Sequence, residues 1–118
     1  MNKTLLLAML LVAPPLLRSQ SVAAAEANSH VGETTTVCGK VSGIHTAAGS
    51  KGKPTFINFD KPYPSQDFTV MIWDDDRPAF GNLDKYIGSQ ICAHGLIKEY
   101  RGKPEMVIHS PEALSGSL

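Results

Sequence analysis

The chain has 118 residues, with 11 basic and 11 acidic side chains and two cysteines. This length suits one domain, and the 42% hydrophobic and 19% charged content is typical of a globular protein rather than a disordered or fibrous one. The zero net charge excludes a polycationic arm of the kind that coats nucleic acid indiscriminately. The sequence also lacks the GxxxxGKS/T, GxGxxG, HExxH and CxxC patterns, so we expect no cofactor and no bound metal.

The first 27 residues have the three-part layout of a secretory signal peptide. Lys3 gives a positive start, residues 4–13 are mainly apolar, and residues 22–27 are small apart from Glu26. A retained membrane anchor is the alternative interpretation. It is disfavoured because the apolar stretch is shorter than the roughly 20 residues that a spanning helix needs, and because Pro14–Pro15 interrupts it.

Cleavage after Ala25 or Ala27 satisfies the preference for small residues before the cleaved bond. We therefore expect residues 1–27 to be removed and residues 28–118 to form one exported domain, periplasmic or secreted, with its core at about residues 33–110. This domain has a net charge of −1, since residues 1–27 hold two basic side chains and one acidic one. No second apolar stretch is long enough to span a membrane, so we expect no stable membrane insertion after cleavage.

Two cysteines in an exported chain are usually joined in a disulfide. Cys38 and Cys92 lie 54 positions apart, and closing such a loop contributes about 4 kcal/mol in the chain-entropy model. A catalytic or metal-binding thiol is the alternative, disfavoured because the chain has no third cysteine.

β-Branched and aromatic residues alternate with polar ones after Glu33, which predicts strands separated by turns. The predicted strands span residues 34–45, 55–60, 68–73, 90–100 and 105–109. One short helix is predicted after the third strand, because Asp74–Asp76 offers N-caps and Phe80, Leu83 and Ile87 recur at helical spacing before Gly88.

The order β1-β2-β3-α-β4-β5 in about 80 residues is that of the OB-fold, a five-stranded, partly open Greek-key barrel of the all-β class. The first and fourth strands of this fold pair antiparallel. If Val37 and Ile91 face the interior, Cys38 and Cys92 point outward and can be cross-strand neighbours. The cysteine positions and the order of elements therefore predict the same fold.

Three stretches resemble a family of small exported bacterial OB-fold proteins, which occur alone or beside thermonuclease-like domains: Thr36–Val41, Pro54–Pro64 and Phe68–Trp73. Gly95–Met106 is similar to the wider nucleic-acid-binding OB class, which includes tRNA-anticodon-binding and single-strand-binding domains. The resemblance covers roughly residues 31–114. It implies an OB-fold and, by analogy, nucleic-acid binding.

OB-folds bind ligands on the outer face of the second and third strands, between the loops that join strands one and two and strands four and five. Basic side chains in these loops can neutralise phosphates, and aromatic rings can stack on bases. Candidate rings are Phe56, Tyr63, Trp73 and Tyr100, with core packing as the alternative for each. The predicted nucleic-acid-binding residues are Lys51, Lys53, Phe56, Asn58, Trp73, Tyr100, Arg101 and Lys103. For the basic residues, the alternative is that they belong to ordinary polar surface loops and contact no ligand.

We expect no catalysis, because His45, His94 and His109 lie on separate strands without paired spacing and no Ser-His-Asp or Cys-His arrangement is present. The leading hypothesis is a module that binds single-stranded nucleic acid or an oligonucleotide with low sequence specificity. The alternatives are a binding module for a protein partner or a cell-envelope oligosaccharide, and an accessory domain to a nuclease.

Overall fold

β-Strands dominate residues 20–116, the part of the chain that the computed structural model describes. The strands are β1 Ser21–Ala23, β2 Thr34–Thr46, β3 Thr55–Phe59, β4 Phe68–Ile72, β5 Gln90–Leu96, β6 Lys98–Tyr100, β7 Lys103–Val107 and β8 Leu114–Gly116. Short 3-10 turns span Ala24–His30, Arg77–Phe80, Leu83–Tyr86 and Pro111–Ala113. The predicted all-β class is confirmed. Residues 1–19 of the predicted signal peptide lie outside the described residues.

Eight strands of the described chain form one open, mixed sheet in the order β6-β7-β4-β3-β2-β5-β8, with β1 paired to β2. The β1–β2 and β4–β7 pairs are parallel, and the others are antiparallel. The prediction of five strands is therefore wrong. The predicted fourth strand breaks at Ile97, because the N–H and C=O of this buried residue bond to Glu33 and Gly32. The chain then continues into β6, which pairs with β7 instead of β2.

The helical region predicted after Trp73 is present, but as two 3-10 turns instead of one continuous helix. The two turns are separated by Gly81 at φ 64° and by Asn82, whose backbone is extended. The Asn82 side chain accepts a hydrogen bond from the backbone N–H of Asp84 at 3.0 Å and so begins the second turn. Phe80 and Leu83 are buried from two separate turns, which is why their spacing resembles that of one helix.

The core consists of apolar side chains from one face of the strands and from the adjoining turns. Phe59 and Phe68, at the paired ends of β3 and β4, meet edge to face with their ring centroids 5.4 Å apart. Ala24 and Ala27 from the first 3-10 turn are also buried in this core. They belong to the segment that the predicted cleavage removes, and this cleavage stays a prediction.

The predicted Cys38–Cys92 disulfide is confirmed. The two cysteines are directly opposite in the β2–β5 pair, with their Cα atoms 4.0 Å apart. On either side, Val37 pairs with Ala93 and Gly39 pairs with Ile91, and all four of these residues are buried. The strand alternation therefore directs both sulfur atoms away from the core, as the sequence predicts.

Candidate functional site

A groove of about 560 Å³ lies on the sheet face opposite the core, between β3, β4 and the β6–β7 hairpin. Its lining combines aromatic, polar and charged side chains with two prolines. The lining residues are His45, Ala47, Phe56, Asn58, Tyr63, Pro64, Gln66, Thr69, Tyr100, Arg101, Lys103, Pro104 and Glu105.

Strand alternation places the side chains of the groove floor. In β3, Ile57 and Phe59 are fully buried in the core, so Phe56 and Asn58 point to the opposite face. Asn58 is paired with Thr69 on β4, and Thr69 is paired with Glu105 on β7. These three residues form a polar row across the floor.

The β6–β7 hairpin forms one wall of the groove. Its turn residues Arg101 and Gly102 have φ values of 52° and 82°, and two successive positive φ values are the pattern of a tight two-residue hairpin turn. This turn sets Tyr100 opposite Lys103 and holds the Arg101 guanidinium carbon 5.2 Å from the centre of the Tyr100 ring. The hairpin therefore presents an aromatic ring and two cations together.

Two tyrosine rings stand at the groove edges. Tyr63, in the loop between β3 and β4, is 75% exposed, and Tyr100 is 55% exposed. Rings of this size are mostly buried when their role is packing. Tyr63 and Tyr100 are therefore available to a ligand, while Phe56, which also lines the groove, is half-buried.

A chain of hydrogen bonds joins the polar side chains of the floor. Gln66 Nε2 donates to Thr69 Oγ1 at 3.0 Å, and the Thr69 hydroxyl donates to Asn58 Oδ1 at 3.1 Å. Gln66 Oε1 is buried and has no hydrogen-bond partner within residues 20–116. Lys103 Nζ donates a hydrogen bond to the backbone oxygen of Gln66 at 3.3 Å.

Glu105 brings a negative charge to the groove. Burial raises the pKa of its carboxyl above the ordinary value, and the opposing charge of Lys98, its cross-strand neighbour, reduces this effect. Arg101 and Lys103 also line the groove, and each brings a positive charge. The groove thus combines two cations, one half-buried carboxyl and a largely neutral floor.

Five of the eight predicted site residues line the groove: Phe56, Asn58, Tyr100, Arg101 and Lys103. The other three, Lys51, Lys53 and Trp73, do not. Trp73 packs against the loop after β2, where a Cβ atom on Gly52 would lie only 2.8 Å from Trp73 Cε3. Trp73 follows the last residue of β4, so strand alternation no longer determines its direction.

The sequence prediction missed several groove residues, above all Gln66, Thr69 and Glu105. Thr69 alternates with the buried residues Phe68 and Val70, so the same argument that selected Asn58 would have found it. Gln66 lies in a loop whose path depends on tertiary contacts, and no local pattern predicts its burial.

Within residues 20–116, no cluster of three or more His, Cys, Asp or Glu side chains has the geometry to hold a metal ion. The same part of the chain contains no helix with the length and apolar character that crossing a membrane requires.

No protein-family model matches this chain. No curated protein matches it either. Among solved structures, it is similar to one described as an aspartyl-tRNA synthetase from Leishmania major Friedlin, with a TM-score of 0.53 and 14% sequence identity. The match covers 94% of this chain but only 24% of the other. At this identity the likeness shows a shared fold, and this chain corresponds to about a quarter of the length of that protein.

Proposed function

We propose that this chain is an OB-fold module that binds single-stranded nucleic acid or oligonucleotides in the groove, with low sequence specificity. The strands β2, β3, β4, β5 and β7 match the five OB strands in order, and β2 pairs antiparallel with β5 as the first and fourth strands do. The groove lies on the face of β3 and β4, where OB-folds bind their ligands. The fold shared with part of an aspartyl-tRNA synthetase is consistent with this assignment.

The observation that carries the proposal is the pairing of exposed rings with cations along one groove. Tyr63 and Tyr100 are available for stacking, and Arg101 and Lys103 lie beside Tyr100 on the same hairpin. Proteins bind single strands by stacking bases on aromatic rings and by attracting the backbone to basic side chains. Every base has a stacking face and every nucleotide a phosphate, so these contacts do not select a sequence.

The charges of the groove set the expected strength and salt dependence. Arg101 and Lys103 can each neutralise one phosphate, while Glu105 opposes the strand. Two phosphate contacts to a single strand give a slope of about −1.4 for log K against log salt. We therefore propose modest affinity that weakens with salt, and a role in binding rather than catalysis.

The test is a fluorescence-anisotropy titration of the purified protein with a labelled oligothymidine of about 15 nucleotides, at several salt concentrations. Saturable binding with the expected slope supports the proposal, and Arg101→Gln, which removes one of the two phosphate contacts, should reduce the slope to about −0.7. Lys85→Gln is the matched control, because Lys85 also lies 5.2 Å from a tyrosine ring, that of Tyr86, but outside the groove lining. Absence of binding even at low salt contradicts the proposal.

A second candidate ligand is an uncharged oligosaccharide of the cell envelope, favoured by the neutral polar side chains of Asn58, Gln66 and Thr69, which line the groove together with two tyrosines. Its binding would depend little on salt, which separates it from a nucleic acid. The Cys38–Cys92 disulfide is compatible with an oxidising compartment, and we include export to the periplasm or the medium in the proposal. A protein partner on the same face and a role as a nuclease accessory domain are the remaining alternatives.

A further inference from the structure

Residues 22–30 contribute side chains to the folded core, although most of them lie within the predicted signal peptide. Ala24 and Ala27 are 1% and 0% exposed, and the half-buried Val22 packs against the same core. Burial of these apolar groups stabilises the fold. Cleavage after Ala25 would remove Val22 and Ala24 from the core, and cleavage after Ala27 would remove all three residues.

The backbone of β1 is also part of the sheet. β1 runs parallel to β2, with Val22 opposite Val37 and Ala23 opposite Cys38. β5 pairs with the other edge of β2 at the same two residues, so this part of β2 is an inner strand only while β1 is present. Without β1, the edge of β2 beside the disulfide would be unpaired, which proteins avoid.

Close packing fits the first 3-10 turn to β2. A Cβ atom on Gly39 would lie 3.0 Å from the Cβ of Ala24 and 2.9 Å from Phe59 Cδ2. These distances are shorter than an ordinary contact between carbon atoms, so a larger residue at position 39 would displace the turn or the Phe59 ring. The glycine on β2 and the alanine on the turn are therefore matched in size, as in a close-packed protein interior.

A pair of small residues lies just before this segment. Ser19 and Ser21 are separated by one residue, which satisfies the preference for small residues before a cleaved bond. The alanines at positions 23, 25 and 27 satisfy it as well, so the choice between the sites rests on the fold. We propose that the signal peptide is cleaved at Ser19–Ser21, before Val22, and that residues 22–30 stay in the mature domain. This inference rests on the export included in the proposed function.

The experiment expresses the full chain in a bacterium with an active secretory pathway and measures the intact mass of the exported protein. We expect a chain that starts between residues 20 and 22. Ser19→Gln enlarges a small residue of the proposed site and should abolish this cleavage. Ala25→Gln is the matched control, because Ala25 belongs to both of the later small pairs and its side chain is exposed in the folded protein. This variant should be cleaved at the same position as wild type.

The outcomes separate this inference from the proposed export. A start at any other residue of the exported chain, residues 26 and 28 included, overturns the inference and leaves export in place. Loss of cleavage in Ala25→Gln but not in Ser19→Gln also overturns it. If the chain keeps all 118 residues and stays inside the cell, both the inference and the proposed export fail.

Discussion

Replacing Tyr100 by alanine tests the stacking role of the groove rings. Tyr100 is 55% exposed and lies next to a hairpin turn, so its removal should change the free energy of unfolding by no more than about 0.5 kcal/mol. Stacking of one base on an aromatic ring contributes about 1–3 kcal/mol by alanine substitution. A loss of about 2 kcal/mol corresponds to a rise in Kd of roughly 30-fold.

The assay is the anisotropy titration with oligothymidine at low salt. Tyr100→Phe retains the ring and should leave Kd within about twofold of wild type, because stacking does not need the hydroxyl. Trp73→Leu is the matched aromatic control: Trp73 is 40% exposed but lies outside the groove lining, so its replacement should not change Kd. Unchanged affinity in folded Tyr100→Ala, or an equal loss in Trp73→Leu, would refute the reasoning.

Three further predictions concern stability and are measured by urea denaturation. Replacing both Cys38 and Cys92 by alanine should lower the free energy of unfolding by about 4 kcal/mol, since it frees a loop of 54 residues; a loss below about 1 kcal/mol contradicts this. A chain that starts at residue 28 lacks β1 and the buried methyl groups of Ala24 and Ala27. Its free energy of unfolding should be about 2 kcal/mol lower than that of a chain that starts at residue 20. Equal stability of the two chains argues against a structural role for residues 20–27. Burial raises the pKa of the Glu105 carboxyl above 4.5. The contribution of Glu105 to stability is therefore fully present below pH 4.5 and is lost as the pH rises through the raised pKa. The free energy of unfolding of wild type relative to Glu105→Gln should fall between acid and neutral pH, and a difference that stays constant with pH would contradict this prediction.

The outward direction of Cys38 and Cys92 could be predicted because it depends on alternation, which is local, whereas the pairing of their strands was predicted from the order of elements. Val37 precedes Cys38 and Ala93 follows Cys92, so if these two neighbours face the core, alternation directs both sulfur atoms to the opposite face. The two turns after Trp73 were predicted as one continuous helix because the spacing of apolar residues does not distinguish one helix from two turns separated by Gly81 at positive φ. The break at Ile97 depends on hydrogen bonds to Glu33 and Gly32, far away in sequence.

The same distinction applies to the groove. Phe56 and Asn58 could be placed by alternation within β3, and the Arg101–Gly102 turn by its position between two predicted strands. Trp73 could not, since it lies just beyond the end of β4 and its contact with Gly52 is a tertiary one. Gln66 was missed because burial of a loop residue depends on how the loop folds over the sheet.

The most direct test of the central claim is to locate the bound strand by amide NMR. Oligothymidine added to the isotope-labelled protein should shift the backbone amide signals of Phe56, Thr69, Tyr100 and Arg101 in proportion to saturation, and should leave that of Lys51 in place. Shifts concentrated around Lys51 instead of the groove, or no shifts at a large excess of the strand, would contradict the assignment of the groove as the binding site.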